Sequence, residues 1–150
     1  MIFILSCATR YIEYDRNTIL KKYSAKYSIF IDDQKIDLTN VYLDKNNIEN
    51  ILIDKKTKKL NIKQYKKARL IEIQKLNQDS LSGKIKEVNK RKIDLIIIDG
   101  IVLDDHLNNK IKVDLNAIKS LSIISKEKLN NDKLICGRHY NGDLMLINTK

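Results

Sequence analysis

A chain of 150 residues has room for one ordinary domain or two small similar halves, and 43% hydrophobic residues exclude wholesale disorder. The 29 Lys and Arg against 19 Asp and Glu leave a net charge of +10, which permits an anionic partner, while no apolar run approaches the roughly 20 residues that cross a bilayer as a helix. Proline is absent and glycine occurs only at Gly83, Gly100, Gly137 and Gly142, so each glycine reads as a backbone requirement.

The opening MIFILSCATR runs apolar up to Ser6 and then meets Cys7. The order Ile4-Leu5-Ser6-Cys7 resembles a bacterial lipobox, where a small residue precedes the cysteine that receives lipid. A full export signal also has a charged n-region and an apolar core of about 7–15 residues, and neither precedes Cys7 here. Two readings stand: lipidation at Cys7 with a start codon further upstream, or a buried first strand in a cytoplasmic protein whose true start is Met1. The expectation carried forward is the lipoprotein, anchored to the outer membrane or periplasmic, with acyl chains as the tether.

Residues 15–24, DRNTILKKYS, read as a short helix capped by Asp15 or Asn17, with Lys21 and Lys22 near its C-terminal end. YSIFIDD alternates and is rich in β-formers, so it reads as a strand ending at Asp32-Asp33. NNIENILIDK and KLNIK follow, and then ARLIEIQKL as a half-buried strand with Glu72 facing away from Ile71 and Ile73. Across this region, residues 55–69 hold Lys55, Lys56, Lys58, Lys59, Lys63, Lys66, Lys67 and Arg69 and no carboxylate. That run is either a solvated basic face or a patch for an anionic partner. Tyr65 lies inside it, and aromatics among lysines can stack bases, although no recognised nucleic-acid motif accompanies them.

Residues 79–90 place Leu81, Ile85 and Val88 on one helical stripe, which reads as a helical linker between two halves. LIIIDGIVL then brings two apolar runs together at Asp99-Gly100, a tight hairpin in which Gly permits positive φ and Asp bonds the nearby backbone. Four consecutive apolar residues before the turn imply a strand buried on both faces. DLNAIKSLSIISK reads as a helical turn running into a strand, SKEKLNNDKLI as a short helix, and CGRHYNGDLMLINTK as a glycine loop and closing strand. The halves repeat: Ile48, Ile51 and Ile53 stand at the same mutual offsets as Ile118, Leu121 and Ile123, with YSIFIDD aligned to IDLIIID and ARLIEIQK to DLMLINTK. An offset of three suits a helical turn and the following offset of two a strand.

Residues 93–150 resemble the plug domain of TonB-dependent outer-membrane receptors. The resemblance rests on Asp99 and Gly100 in the hairpin, on Asp114, Ile118, Ser120 and Leu121 in the middle segment, and on Gly137, Asn141, Gly142, Ile147, Thr149 and Lys150 in the loop and closing strand. Cys136 replaces the usual aromatic, Asp143 replaces an apolar residue, and the interval between Gly137 and Gly142 is one residue short. The resemblance implies a non-enzymatic binding module, with the five residues Asp99, Gly100, Gly137, Asn141 and Gly142 structural. Such receptors continue into a membrane β-barrel, and no barrel strands with aromatic girdles occur in these residues, so import is not expected of them.

Catalysis is not expected. Asp99, Asp104, Asp105 and His106 form a polar cluster after a hairpin, and Cys136 with His139 lacks the ligands that complete a zinc site. No metal-protease helix, nucleophile elbow or phosphate loop occurs, and no cofactor or metal is called for. The reading is an α+β chain with a mixed β-sheet and short helices, built from two related β-α-β-like plug units. Residues 1–14 form an N-terminal segment, 15–78 the first unit, 79–92 a helical linker and 93–150 the second unit. The expected partner is an outer-membrane receptor or another envelope protein. A cytosolic nucleic-acid-binding protein using residues 55–69 is the alternative.

Overall fold

In a computed structural model, residues 9–76, 92–103, 110–131 and 139–150 are described. Cys7, the proposed linker helix, Asp104 to His106, Cys136 and Gly137 lie outside them. Mixed sheets with few short helices make the chain broadly α+β and mostly β. It divides into two compact units, one of residues 1–41 and 45–68, the other of Tyr42–Asp44 and Arg69–Lys150.

In the first unit, β1 (Thr9–Ile12) is followed by α1 (Arg16–Lys22). Asp15 caps that helix, its carboxylate accepting from the Thr18 N–H at 2.6 Å, and Lys21 and Lys22 sit in the last turn, where the helix dipole favours cations. β2 (Ser28–Ile31) turns at Asp32-Asp33 into β3 (Gln34–Ile36). Both turn residues have positive φ, 44° and 66°, the signature of a two-residue type I′ hairpin. After β4 (Val41–Tyr42) come β5 (Ile48–Asp54) and β6 (Lys59–Gln64), joined by a tight turn over residues 55–58. The sheet order is β1-β5-β6-β2-β3, with β2 and β6 parallel and the other pairs antiparallel. Alternation puts Ile29, Ile31, Ile51, Ile53, Leu60 and Ile62 on one buried face, with Ile29 opposite Leu60 opposite Ile53 and Ile31 opposite Ile62 opposite Ile51.

The second unit holds β7 (Leu70–Glu72), β8 (Ile93–Ile98), β9 (Ile101–Val102), β10 (Lys112–Asp114), β11 (Ile118–Ile124), α2 (Lys126–Asn131) and β12 (Asp143–Thr149). A four-stranded sheet runs β11-β12-β8-β9, and a three-stranded one, to which Tyr42 belongs, runs β4-β10-β7. Asp99 and Gly100, at φ 51° and 79°, make the β8–β9 turn, again with two positive-φ residues. Ile96, Ile98, Met145, Ile147, Ile118 and Leu121 form the inner face of the four-stranded sheet and pack with Ile73, Ile111 and Val113. The run Leu95 to Ile98 is apolar on both sides because the outer face is also used: Leu95 and Ile97 pack on Leu129, Tyr140 and Leu144.

The two sheets share one register. Ile48–Gln64, Ile51–Ile62 and Asp54–Lys59 correspond to Ile118–Thr149, Leu121–Ile147 and Ile124–Leu144, and the parallel pair Ile31–Ile62 corresponds to Ile98–Ile147. Each β5-type strand has an irregularity at the same place, between Ile48 and Asn50 and between Ile118 and Ser120. This corrects the helical-turn reading of the three-residue offset. All of Ile48–Asp54 and Ile118–Ile124 is strand, and one bulged residue, Glu49 or Lys119, restores the apolar side chains to the same face. The helical character lies just before, in 3-10 turns at 45–47 and 115–117. The strand corresponding to DLMLINTK is KLNIKQ, not ARLIEIQK, which forms β7 and a 3-10 turn in the second unit.

Candidate functional site

The turn carboxylates have a mechanical role. Asp99 donates its N–H to the Ile147 carbonyl at 2.9 Å, and its carboxylate accepts from the Thr149 N–H and Thr149 hydroxyl, each at 2.7 Å. Asp32 does the same in the first unit, donating to the Ile62 carbonyl at 3.0 Å and accepting from the Gln64 N–H at 3.0 Å. In both sheets the Asp side chain extends the parallel ladder one bond past the end of the strand, and a charge-assisted bond is stronger than a neutral one. Among the closing-loop residues, the Asn141 N–H donates to Asp94 at 3.2 Å, and a Cβ on Gly142 would run into the Lys92 carbonyl, so only glycine lets the chain pass β8 there. Tyr140 is held to α2 by two bonds with Asn130, at 3.0 and 3.1 Å.

The basic stretch is fully displayed. Lys55, Lys56, Lys58, Lys59, Lys63, Lys66, Lys67 and Arg69 are all exposed. They do not form one cluster of equal geometry. Strand alternation along β6 sends Lys59, Asn61 and Lys63 to the outer face of the five-stranded sheet, and Leu60, Ile62 and Gln64 to the core side. Lys55, Lys56 and Lys58 belong to the turn at one end of β6; Lys66, Lys67 and Arg69 follow its other end. Lys58 stands over the Tyr27 ring at 5.7 Å and Lys59 over the Phe30 ring at 5.3 Å.

The pairing registers define this outer face across all five strands. One row runs Lys35–Phe30–Asn61–Leu52–Tyr11, from β3 through β2, β6 and β5 to β1. A second row runs Ser28–Lys59–Asp54–Thr9, and Lys63 stands beside Asn50. Tyr11 at 69% and Tyr65 at 67% are among the most exposed large side chains. Asp54 is bound by its own turn, accepting from the Lys56 N–H at 2.8 Å and the Thr57 hydroxyl at 2.7 Å; hydrogen bonding with Thr57 holds its carboxyl below the usual range. Lys63 meets Glu49 at 3.2 Å in a solvent-exposed pair of small energetic weight. What remains is a row of Phe30, Leu52 and Tyr11, interrupted by Asn61 and bordered by lysines. Neither charge counting nor the basic run revealed this row; the signal was the alternation in KLNIKQY read together with the register.

In the second unit lies a buried pair of carboxylates; sequence reading names Asp114 only as part of the plug-like segment and misses Asp44 beside it. Asp114 is completely buried and Asp44 is 6% exposed. Asp114 caps the following 3-10 turn by accepting from the Asn116 N–H at 3.0 Å, and Lys150 reaches Asp44 at 3.8 Å. Burial pushes the Asp114 carboxyl up, the neighbouring Asp44 charge adds to that, and the Asn116 and Asp44 N–H groups and Lys150 only partly oppose it. Asp44 and Asp114 both stand four residues before Ile48 and Ile118, the first residues of β5 and β11. Among the described residues no three His, Cys, Asp or Glu side chains converge as metal ligands, and no helix is long and apolar enough to cross a membrane.

No known protein family, curated protein or solved structure matches the chain.

Proposed function

We propose that this chain is a non-enzymatic interaction module made of two related plug-like units, held in the envelope of a Gram-negative cell as a lipoprotein through Cys7. The observation that carries the reading is the shared register of the two sheets, down to the hairpin carboxylates Asp32 and Asp99 that tie to Gln64 and Thr149. The resemblance of residues 93–150 to a receptor plug then extends to the first unit through that register, although the first unit has no glycine turn. Plug-like sheets act by presenting faces, edges and loops, and the first unit presents a whole sheet face. The partner is an envelope protein, an outer-membrane receptor among the candidates.

The reading is tested in cells with a photo-crosslinking residue at Tyr11 or Lys59 and with the Cys7→Ala variant. Crosslinks to a discrete envelope protein and release of the variant from the membrane fraction are expected. Crosslinks confined to cytosolic components, with no change in fractionation, would overturn it. A second reading, a cytosolic protein that binds nucleic acid through residues 55–69, is favoured by the exposure of all eight cations. It requires binding that falls steeply with salt, since phosphate contacts release counterions.

A further inference from the structure

We propose that the outer face of the five-stranded sheet is the docking site for an acidic amphipathic helix of a partner protein. This rests on the interaction-module reading and names the partner's chemistry. The molecule itself shows how such a face is covered. In the second unit, α2 stands between β11 and β12, and Leu129 packs with Leu144 and Leu146 of the outer face. The register places Lys59 and Asn61 of β6 where β12 has Leu144 and Leu146. Between β5 and β6 stands only the turn of residues 55–58, so among the described residues no helix of the first unit occupies the corresponding place.

The chemistry of the cover follows from what replaces the leucines. An apolar cover suits Leu144 and Leu146; a cover for Lys59, Asn61 and Lys63 needs carboxylates at its edges. Phe30 on one side of Asn61, and Leu52 with Tyr11 on the other, keep apolar contacts along one row of the face, which suits the leucine side of a helix laid across the strands. Lys35, Lys59 and Lys63 border those contacts, the arrangement of an apolar centre with a charged rim that protein interfaces use. Nucleic acid fits less well: Asn61 and Leu52, which offer no stacking plane, separate the rings of Phe30 and Tyr11 along the row.

The test titrates the full chain, isotope-labelled for amide NMR, with a synthetic helix of about 15 residues carrying Leu at i, i+3, i+4 and i+7 and Glu elsewhere. The comparison probes are the same helix with Lys in place of Glu, an oligothymidylate, and phosphatidylglycerol vesicles. The Glu helix should shift the amides of Tyr11, Phe30, Leu52 and Asn61, and the Lys helix should not bind. Lys59→Glu with Lys63→Glu should weaken binding about tenfold. Lys21→Glu with Lys22→Glu, the same charge change on exposed positions of α1, should leave affinity within about twofold. Equal loss in both double variants would show bulk charge attraction and overturn the proposal, as would tighter binding of the oligothymidylate or the vesicles. Shifts confined to another surface would overturn this face yet leave the interaction-module reading in place. No shift with the Glu helix would overturn the face, and the loss of the Tyr11 and Lys59 crosslinks as well would remove both readings.

Discussion

Two sheets that share the order and register of four strands bury the same inner face and treat the outer one in opposite ways. In the second unit the outer positions are Leu95, Ile97, Leu144 and Leu146 beneath Leu129 and Tyr140. In the first unit the corresponding positions are Ser28, Phe30, Lys59 and Asn61, and Lys59 is open to solvent. The difference comes from one connection: residues 125–142 between β11 and β12, against residues 55–58 between β5 and β6. A sheet needs one buried face to fold, so the second face is free to be used for stability or for binding. The second unit covers it with its own helix; among the described residues of the first unit no helix does so.

Exchanging residues between the two faces tests this contrast most severely. Leu144→Lys places the first unit's residue under α2, where Leu144 is 3% exposed. It should cost about 4 kcal/mol, combining lost burial with a charge forced into an apolar layer, read as a lower urea midpoint. The reverse exchange, Lys59→Leu, should leave the midpoint nearly unchanged and instead promote self-association, measured by sedimentation, because it enlarges the exposed apolar surface. A Leu144→Lys protein as stable as the parent would show that the second face is not committed to its helix.

The hairpin carboxylates offer a finer comparison. Asp99→Ala removes two acceptor bonds to Thr149 and leaves a Cβ-bearing residue at φ 51°, and it should cost about 2 kcal/mol. Asp32→Ala removes one bond, to Gln64, and should cost about half as much by the same denaturation measurement. Equal costs would mean that the Thr149 hydroxyl contributes nothing. Asp99→Asn keeps an acceptor and a residue tolerant of positive φ, so it should fall between Asp99→Ala and the parent.

Asp114 separates burial from capping. Its folded-state pKa is raised above the unfolded one, chiefly by burial, so ionisation opposes folding. Its favourable contribution is complete below the usual carboxylate range and is lost as pH rises through the raised value. Asp114→Asn retains an acceptor for the Asn116 N–H and removes the charge. The variant should therefore be more stable than the parent at neutral pH and converge with it in acid, followed as urea midpoint against pH. A constant difference across pH would show that the effect is steric.

Much of the local structure was legible because local chemistry decided it. Asp15 caps α1 and the Asp99-Gly100 pair makes the hairpin turn, both read from residue type alone; Gly142, expected as part of a glycine loop, is instead required because a Cβ would meet the Lys92 carbonyl. Ile48, Ile51 and Ile53 hold the same strand positions as Ile118, Leu121 and Ile123, but the offset of three was misread, because a bulge and a helical turn produce the same spacing. Asp33 hid the first hairpin for the same kind of reason, since Asp is a poorer signal of positive φ than Gly. The open face was not legible from the basic run. Its apolar residues come from β1, β2 and β5, brought into one row through β6 by pairing registers that no single segment contains.

The smallest effect distinguishes the two turns themselves. Asp33 and Gly100 occupy the same place, the second turn residue, with φ 66° and 79°. A side chain in that region carries a cost of about 1 kcal/mol that glycine escapes, less for Asp than for most residues. Against this, glycine makes the unfolded chain more flexible and lowers stability by several tenths of a kcal/mol. The two terms nearly cancel, with relief of the left-handed backbone the larger. Asp33→Gly should thus stabilise by about 0.5 kcal/mol, and Gly100→Asp should destabilise by a similar amount, because nothing lies within 4 Å of an added Cβ there and only the backbone term changes. If Asp33→Gly were destabilising, the Asp33 side chain would be holding its turn through contacts of its own, and the two hairpins would be alike in shape but not in cause.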